Sequence, residues 1–161
     1  ADGAAVAGGV LAQHQLRVAA HRAYEAAFRQ ILARGRATTA LAYPLAVAAA
    51  TEIFAAISAR VRTAGAVLAA RGAGSRELAD LVGRLQALER EKLALVAALH
   101  LGRVRALAGS RIGPDPGDPA AAAEAAETRR RMGEGDAEIE ETVSQIRCGL
   151  ADLCEEEQEE E

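Results

Sequence analysis

Hydrophobic residues recur along this chain at alternating intervals of three and four positions. Such spacing places apolar side chains on one face of an α-helix. The most regular stretch has apolar residues at Val47, Ala50, Phe54, Ile57, Val61, Ala64 and Leu68. Because the repeat keeps a seven-residue period, it favours packing of the coiled-coil type against another helix.

Three further helices are predicted around this one. The first runs over 11–34, with its apolar face at Leu11, Val18, Phe28 and Leu32, flanked by Tyr24 and Ile31. The third has a stripe at Leu78, Leu81, Leu85, Leu88, Lys92, Leu95 and Leu99. The last has a stripe at Met132, Asp136, Ile139, Val143, Ile146, Leu150 and Leu153. No segment alternates as strands do, so the predicted fold is all-α: an antiparallel helical hairpin or bundle with coiled-coil-like stripes.

Glycine and proline divide the predicted helices. A linker over 35–43 follows the first helix, and Pro44 can occupy the first turn of the second. Gly72 and Gly74 end the second helix, and Ser75 can cap the third. The last helix is expected to be interrupted at Gly133 and Gly135.

The expected organisation has five parts. They are a flexible N-terminal segment at 1–10, a three-helix domain at 11–108, a Pro/Gly linker at 109–119, a C-terminal amphipathic helix at 120–154 and an acidic tail at 155–161. A run of carboxylates such as EEEQEEE is typical of a disordered, solubilising end.

The amino-acid composition predicts a small hydrophobic core. Half of the residues are hydrophobic, but aromatic residues are 2% and tryptophan is absent. Much of the apolar share is alanine, which favours helix but buries little area. We therefore expect the chain to complete its core with another helix, from its own copy, another helical protein or a larger assembly.

Charge and cysteine content narrow the classes of partner. The net charge is −4, and the six carboxylates of the acidic tail leave the remainder at +2, so direct nucleic-acid binding is not expected. The most apolar stretch contains Pro44 and Glu52, which indicates a soluble chain without a membrane span. Cys148 and Cys154 are predicted to be free thiols, which suits an intracellular, reducing compartment, nucleus or cytoplasm.

The stripes supply the candidate interaction surface. Its predicted members are Phe54, Ile57, Val61, Leu85, Leu88, Lys92, Leu95, Leu99, Ile139, Ile146 and Leu150. Lys92 is the charged member, and a lysine there commonly sets register or oligomeric state. Glu89, Arg90 and Glu91 are expected to point away from the stripe into water, where Glu89 could pair with Lys92.

No pattern in the sequence predicts a reaction. His14 and His21 are about two turns apart, whereas helix-borne metal ligands normally come three or four residues apart, and His100 stands alone. Neither a phosphate loop nor a nucleophile elbow occurs. The cluster Arg129, Arg130 and Arg131 has glutamates nearby and is typical of a solvated helix face. We expect no enzyme activity, no cofactor and no metal.

Three segments resemble a known family. HRAYEAAFRQILARG, AYPLAVAAATEIFAAISARVRTAGAVL and ELADLVGRLQALEREKLALVAALHL, between about His21 and Val104, are similar to the required-for-excision B-type domain, with LQALEREKLAL, Tyr43, Thr51 and Phe54 in matching places. Members also tend to end in one more amphipathic helix, here AEIEETVSQIRCGLADL. The chain departs from the pattern in its alanine content and in the linker after Gly109.

The resemblance implies a link with light-independent excision repair of damaged DNA and brings no catalytic residues. The first functional hypothesis is a non-enzymatic helical adaptor or scaffold that acts by protein–protein helix packing. The alternative is a structural subunit of a large cytoskeletal assembly such as the ciliary axoneme, to which long helices are also suited.

Overall fold

Four α-helices make up the chain in a computed structural model that describes residues 2–109 and 117–159. They are α1 (Gly3–Ala33), α2 (Arg36–Ala69), α3 (Ala73–Leu107) and α4 (Pro119–Glu159). These two ranges contain no strand. The predicted all-α fold is confirmed.

The helices form a ring in which each packs against its neighbours in sequence and α4 closes against α1. Neighbours run antiparallel: Arg17 lies beside Ser58, while the later Phe28 lies beside the earlier Tyr43. α1 and α3 also touch across the centre. Among the described residues, α2 and α4 make no contact, so they occupy opposite sides of the bundle.

All four helices contribute to the hydrophobic core. Its main cluster contains Ala7, Val10, Ile57, Val61, Leu68, Leu78, Val82, Leu85, Ile139, Val143, Ile146 and Leu153. A second cluster contains Tyr24, Ala50, Phe54 and Val96. The predicted stripes on α2, α3 and α4 supply most of these residues, and their apolar area therefore drives the packing of the helices.

The N-terminal segment differs from the prediction of a flexible 1–10. α1 already begins at Gly3, and Ala7 and Val10 are fully buried. The Asp2 carboxylate accepts a hydrogen bond of 2.9 Å from the amide of Ala4, which caps the helix. The prediction is wrong because these small side chains favour helix and fit closely into the core.

The buried face of α1 agrees with the predicted one at Phe28 and the flanking Tyr24 and differs from it elsewhere. Leu11, Val18 and Leu32 are only half-buried. The fully inward positions continue from Phe28 back towards the N-terminus at three-four spacing: Phe28, Tyr24, Arg17, Val10, Ala7 and Gly3. His14 and His21 fill the two remaining places of this series and are half-buried. Polar residues therefore occupy core positions of α1.

The connections between α1 and α2 and between α2 and α3 are shorter than predicted. Gly35, at φ +90, separates α1 from α2, and α2 begins at the next residue, so residues 36–43 of the predicted linker are helical instead. Pro44 consequently lies inside α2, on its exposed side, and not in the first turn. α3 begins directly after Gly72, and Ser75 is buried inside the helix and does not cap it.

The last helix extends beyond the predicted one at both ends, and its glycines do not interrupt it. α4 continues through Gly133 and Gly135 and includes the acidic stretch as far as Glu159, so the expected interruption and the expected disordered tail are both wrong there. The Glu157 carboxylate accepts a hydrogen bond of 3.0 Å from the Gly3 amide, at the positive end of α1. Residues 110–116 of the predicted linker and 160–161 of the tail lie outside the described residues.

Candidate functional site

The predicted interaction surface lies largely in the interior. Seven of its eleven members are buried: Phe54, Ile57, Val61, Leu85, Leu95, Ile139 and Ile146. The other four, Leu88, Lys92, Leu99 and Leu150, are half-buried between helices. For the seven buried residues the prediction of a surface is wrong, because the stripes of the chain's own helices cover one another.

Four of the six large apolar side chains that are exposed in the described part of the chain lie on the outward side of α2, and the other two are Leu16 on α1 and Leu101 on α3. Leu41 is 77% exposed, Leu45 72% and Ile53 51%. Exposed alanines fill the positions between and beyond them, at Ala48, Ala49, Ala55, Ala56 and Ala59. Between Leu41 and Val67 the charged residues are Glu52, Arg60 and Arg62. We call this surface, from Leu41 to Val67, the outer α2 face.

The hydroxyl groups on the outer α2 face do not interrupt its apolar character. Thr51 donates a hydrogen bond of 2.8 Å to the carbonyl of Val47, and Thr63 donates one of 3.1 Å to the carbonyl of Ala59. Both hydroxyls are thus satisfied by the preceding turn of their own helix. The methyl groups of the two threonines add to the apolar surface.

α4 provides an internal comparison for this surface. It occupies the position opposite α2 in the ring, with two neighbours of its own. Its exposed residues are nevertheless rich in charge and amide groups, among them Glu140, Glu141, Gln145, Arg147 and Asp152. An outward helix of this bundle can therefore be strongly polar, and the outer α2 face is not.

By length and composition α2 also meets the criteria for a membrane-spanning helix, the one helix to do so in the described part of the chain. Only 11% of its apolar window is buried inside the protein. A single helix of this kind is weak evidence for a span. The same low burial, however, confirms that α2 presents apolar surface outwards.

A buried ionic cluster joins α1 to α3 beneath this face. The Glu89 carboxylate, whose side chain is 6% exposed, lies 3.5 Å from Nδ1 of His14 and 3.4 Å from Nε2 of His21. Glu89 was predicted to face water, and that prediction is wrong. The two histidines approach it from positions two turns apart on one face of α1, and Arg17 lies on the same face between them.

Arg17 extends the cluster to α2. Its guanidinium, only 2% exposed, donates hydrogen bonds to Oγ of Ser58 at 3.3 Å and to Oε1 of Gln86. The Gln86 amide in turn donates to the carbonyl of Ser58 at 3.0 Å. Hydrogen bonds among Arg17, Ser58 and Gln86 thereby connect three helices in an apolar surrounding, where loss of one partner is costly. Among the described residues, Nη1 of Arg17 and Oε2 of Glu89 have no hydrogen-bond partner.

The network shifts the protonation equilibria of its members. Burial lowers the pKa of the His14 imidazole, although the Glu89 carboxylate opposes this shift. Burial would raise the pKa of Glu89, but the contact from His21 and the positive charge of Arg17 outweigh it and hold the pKa below its ordinary value. The pair Arg17 and Glu89 is therefore ionised at neutral pH inside the bundle.

His100 makes a second buried contact of the same type. Its Nε2 lies 2.7 Å from Oε2 of Glu25, and its ring stacks on Phe28 with centroids 3.7 Å apart. A cleft of about 250 Å³ opens beside it, lined in part by Arg29, Arg103 and Arg129. Glu25 accepts contacts from Arg29 at 3.3 Å and Arg103 at 4.0 Å, which partly neutralises this cleft.

The remaining polar residues singled out in the sequence form ion pairs. Arg130 pairs with Glu127 and Glu134, and Arg131 pairs with Glu91 at 2.9 Å, as expected of a solvated helix face. Cys148 and Cys154 are free thiols. Within 2–109 and 117–159, no three His, Cys, Asp or Glu side chains are placed to hold a metal ion together.

Sequence reasoning missed Arg17, Glu89 and His100 as buried polar groups. For α1 a signal was present, because the three-four series that leads back from Phe28 passes through His21, Arg17 and His14. For α3 the same spacing passes through Leu78, Val82, Leu85, Glu89 and Val96, beside the predicted stripe. A helix with neighbours on several sides buries both series.

Comparison with known proteins identifies a family for the first three helices. A family model described as DNA repair REX1-B matches residues 7–103, which include the ionic cluster and all of α2. The match confirms the resemblance found in the sequence. No curated protein and no solved structure matches the chain.

Proposed function

We propose that this chain, which belongs to the DNA repair REX1-B family, is a non-enzymatic adaptor or scaffold that holds helical partner proteins during DNA repair. The outer α2 face is the binding surface in this proposal. The link with DNA repair comes from the family. The mode of binding, through helix packing, is inferred from the outer α2 face.

The observation that carries the proposal is the exposure of Leu41, Leu45 and Ile53 on a helix that is otherwise well packed. Contiguous exposed apolar surface commonly marks an interaction site. The polar outward side of α4 makes this surface specific to α2. Alanine between the larger residues lets a partner helix approach closely, as in helix-in-groove recognition.

The polar residues support a role without chemistry. Each of the three histidines contacts a carboxylate: His14 and His21 contact Glu89, and His100 contacts Glu25. These contacts join helices to one another within the bundle. In this proposal the contacts of Glu89 and His100 serve the packing of helices and require no substrate.

Nuclear residence and indirect association with DNA complete the proposal. The family connects the chain with repair, and free thiols at Cys148 and Cys154 suit a reducing compartment. Arg130 and Arg131 are paired with glutamates, which weakens their attraction for phosphate. A partner protein would therefore bring the chain to damaged DNA.

Recruitment in living cells tests the proposal. The fluorescently tagged chain is followed after local ultraviolet irradiation of nuclei, together with the double variant Leu41→Glu/Leu45→Glu. The matched control is Leu16→Glu/Leu101→Glu, which makes the same change at exposed leucines of α1 and α3. We expect recruitment of the wild type and the control and its loss in the α2 variant.

Two results would contradict the proposal. Recruitment of the α2 variant at the wild-type level would exclude the outer α2 face as the binding surface. Steady residence of the wild type in a cytoskeletal fraction, without response to irradiation, would favour a structural subunit of a filamentous assembly such as the axoneme.

A further inference from the structure

The exposed residues of the outer α2 face follow a three-four series of their own. The series is Leu45, Ala49, Glu52, Ala56, Ala59 and Thr63, with Ile53, Arg60 and Val67 beside it. It lies on the side of α2 away from the buried stripe through Phe54, Ile57 and Val61. α2 thus has two helix-packing faces, and the rest of the chain occupies one of them.

The series is complementary to itself when its direction is reversed about Ala56. Glu52 and Arg60 lie at equal distances on either side of Ala56, and so do Leu45 and Val67. In an antiparallel pair of α2 helices, Glu52 of each copy would therefore lie level with Arg60 of the other. Leu45 of each copy would lie level with Val67 of the other.

We propose that the outer α2 face binds a second copy of this chain, α2 against α2 in antiparallel orientation, with Ala56 beside the two-fold axis. This inference rests on the proposed function, because it names the first partner of the same surface. A two-fold axis uses every contact twice, so one complementary patch gives two Glu52–Arg60 pairs and two Leu45–Val67 contacts.

Side-chain size fits this arrangement. At and beside the proposed centre the series has alanine, at Ala56 and Ala59, which allows the two helix axes to approach within about 8 Å. The larger side chains of Leu45 and Val67 lie at the ends of the contact, and Ile53 lies beside the series, three residues from Ala56. Exposed ion pairs add little affinity but select orientation and register, which is the role proposed for Glu52 and Arg60.

A lipid bilayer is the competing occupant of this face, and the neighbours of α2 argue against it. α1 and α3 pack along α2 and carry exposed charges, such as Arg22 and Arg29 on α1 and Arg84 and Arg90 on α3. Moving these groups into hydrocarbon together with α2 would be costly. A second copy covers the outer face and leaves those charges in water.

Charge exchange tests the proposed dimer. Sedimentation equilibrium on the purified full chain is expected to show a dimer, and Glu52→Arg or Arg60→Glu alone is expected to weaken it at least tenfold. An equimolar mixture of the two variants is expected to restore it, because the introduced arginine of one copy then meets the introduced glutamate of the other. The matched controls Glu77→Arg and Arg90→Glu, at exposed positions of α3, are expected to leave the dimer unchanged.

The outcomes separate this inference from the proposed function. A wild-type monomer, or a dimer that neither single variant weakens, would overturn the inference and leave the recruitment test unaffected. Helical circular dichroism of each variant shows that it is folded, and rescue in the mixture excludes simple misfolding. A monomer that binds phosphatidylcholine vesicles would overturn it in favour of the bilayer. A dimer that fails the recruitment test would leave the inference standing without the adaptor role.

Discussion

Lys92 and Asp136, the polar exceptions in the stripes of α3 and α4, contact each other. Nζ of Lys92 lies 2.7 Å from Oδ1 of Asp136. Lys92 is the only lysine of the chain. Two positions that interrupt separate hydrophobic patterns thus form one ion pair between the helices, and this pair fixes how α4 lies along α3.

Replacement of this lysine by an apolar residue is predicted to stabilise the bundle. Lys92→Leu should raise the free energy of unfolding by up to about 1 kcal/mol, because the half-exposed pair contributes little and a leucine adds apolar contact with Leu88 and Leu95. Denaturant titration with Lys92→Gln as the control measures the difference. A loss above about 2 kcal/mol would show that Asp136 depends on the charge far more than its exposure of 48% suggests.

The buried carboxylate of α3 should be far more sensitive than its exposed neighbour. Glu89→Gln is predicted to lower the free energy of unfolding by about 3 kcal/mol, because the buried guanidinium of Arg17 loses its counter-charge. Glu91→Gln, the matched control at an exposed pair with Arg131, should cost less than about 1 kcal/mol. Chemical denaturation followed by circular dichroism compares them. Equal losses of unfolding free energy in the two variants would contradict the predicted stabilisation by the buried charges of Glu89 and Arg17.

Stability should fall with acid in two separate stages. The pKa of His14 is lowered in the folded protein, so the unfolded chain takes up this proton first and stability declines as the pH falls below about 6.5. The pKa of Glu89 is also lowered, so its contribution is present above about pH 4.3 and is lost below it. Melting temperatures across this range measure both stages.

The variant His14→Gln separates the two stages. It carries no titrating group at this position, so the decline that begins below about pH 6.5 should become shallower. The loss below about pH 4.3 should remain, because Glu89 is still present. An unchanged profile in the upper range would mean that His14 binds protons equally in the folded and unfolded chains.

Two glycines of α4 should respond oppositely to the same substitution. A Cβ on Gly149 would lie 2.8 Å from Cδ2 of Leu78 on α3, whereas a Cβ on Gly133 would meet nothing within 4 Å. Gly133→Ala should therefore raise the free energy of unfolding by up to about 1 kcal/mol through helix propensity. Gly149→Ala should lower it through the clash. Thermal unfolding of both variants tests how closely α3 and α4 approach each other at Gly149. A gain in stability for Gly149→Ala would contradict this close approach.

The sequence predicts those parts of the fold in which large apolar residues mark the inward face. Phe54, Ile57 and Val61 identify the buried side of α2 without ambiguity, and the leucines of α3 do the same. The inward face of α1 could not be predicted in this way. Its inward positions include His14, Arg17 and His21, and their burial becomes favourable only beside Glu89 of α3, which no local pattern contains.

The ends of the chain show the same dependence on distant partners. Considered alone, the residues near the N-terminus predict a flexible segment and the glutamates near the C-terminus predict a disordered one. Gly3 and Glu157 contact each other, and α1 and α4 are both ordered helices there. Seven residues of the predicted interaction surface are buried instead, since the stripes predict that helices pack but not which helix covers which stripe.

Survival after ultraviolet irradiation in the dark measures most directly whether the outer α2 face performs the repair function. Cells that lack this gene receive the wild type, Leu41→Glu/Leu45→Glu or Leu16→Glu/Leu101→Glu at equal abundance. We predict that the wild type and the Leu16/Leu101 variant restore survival and that the Leu41/Leu45 variant does not. Equal restoration by all three chains would contradict a repair function that depends on this surface.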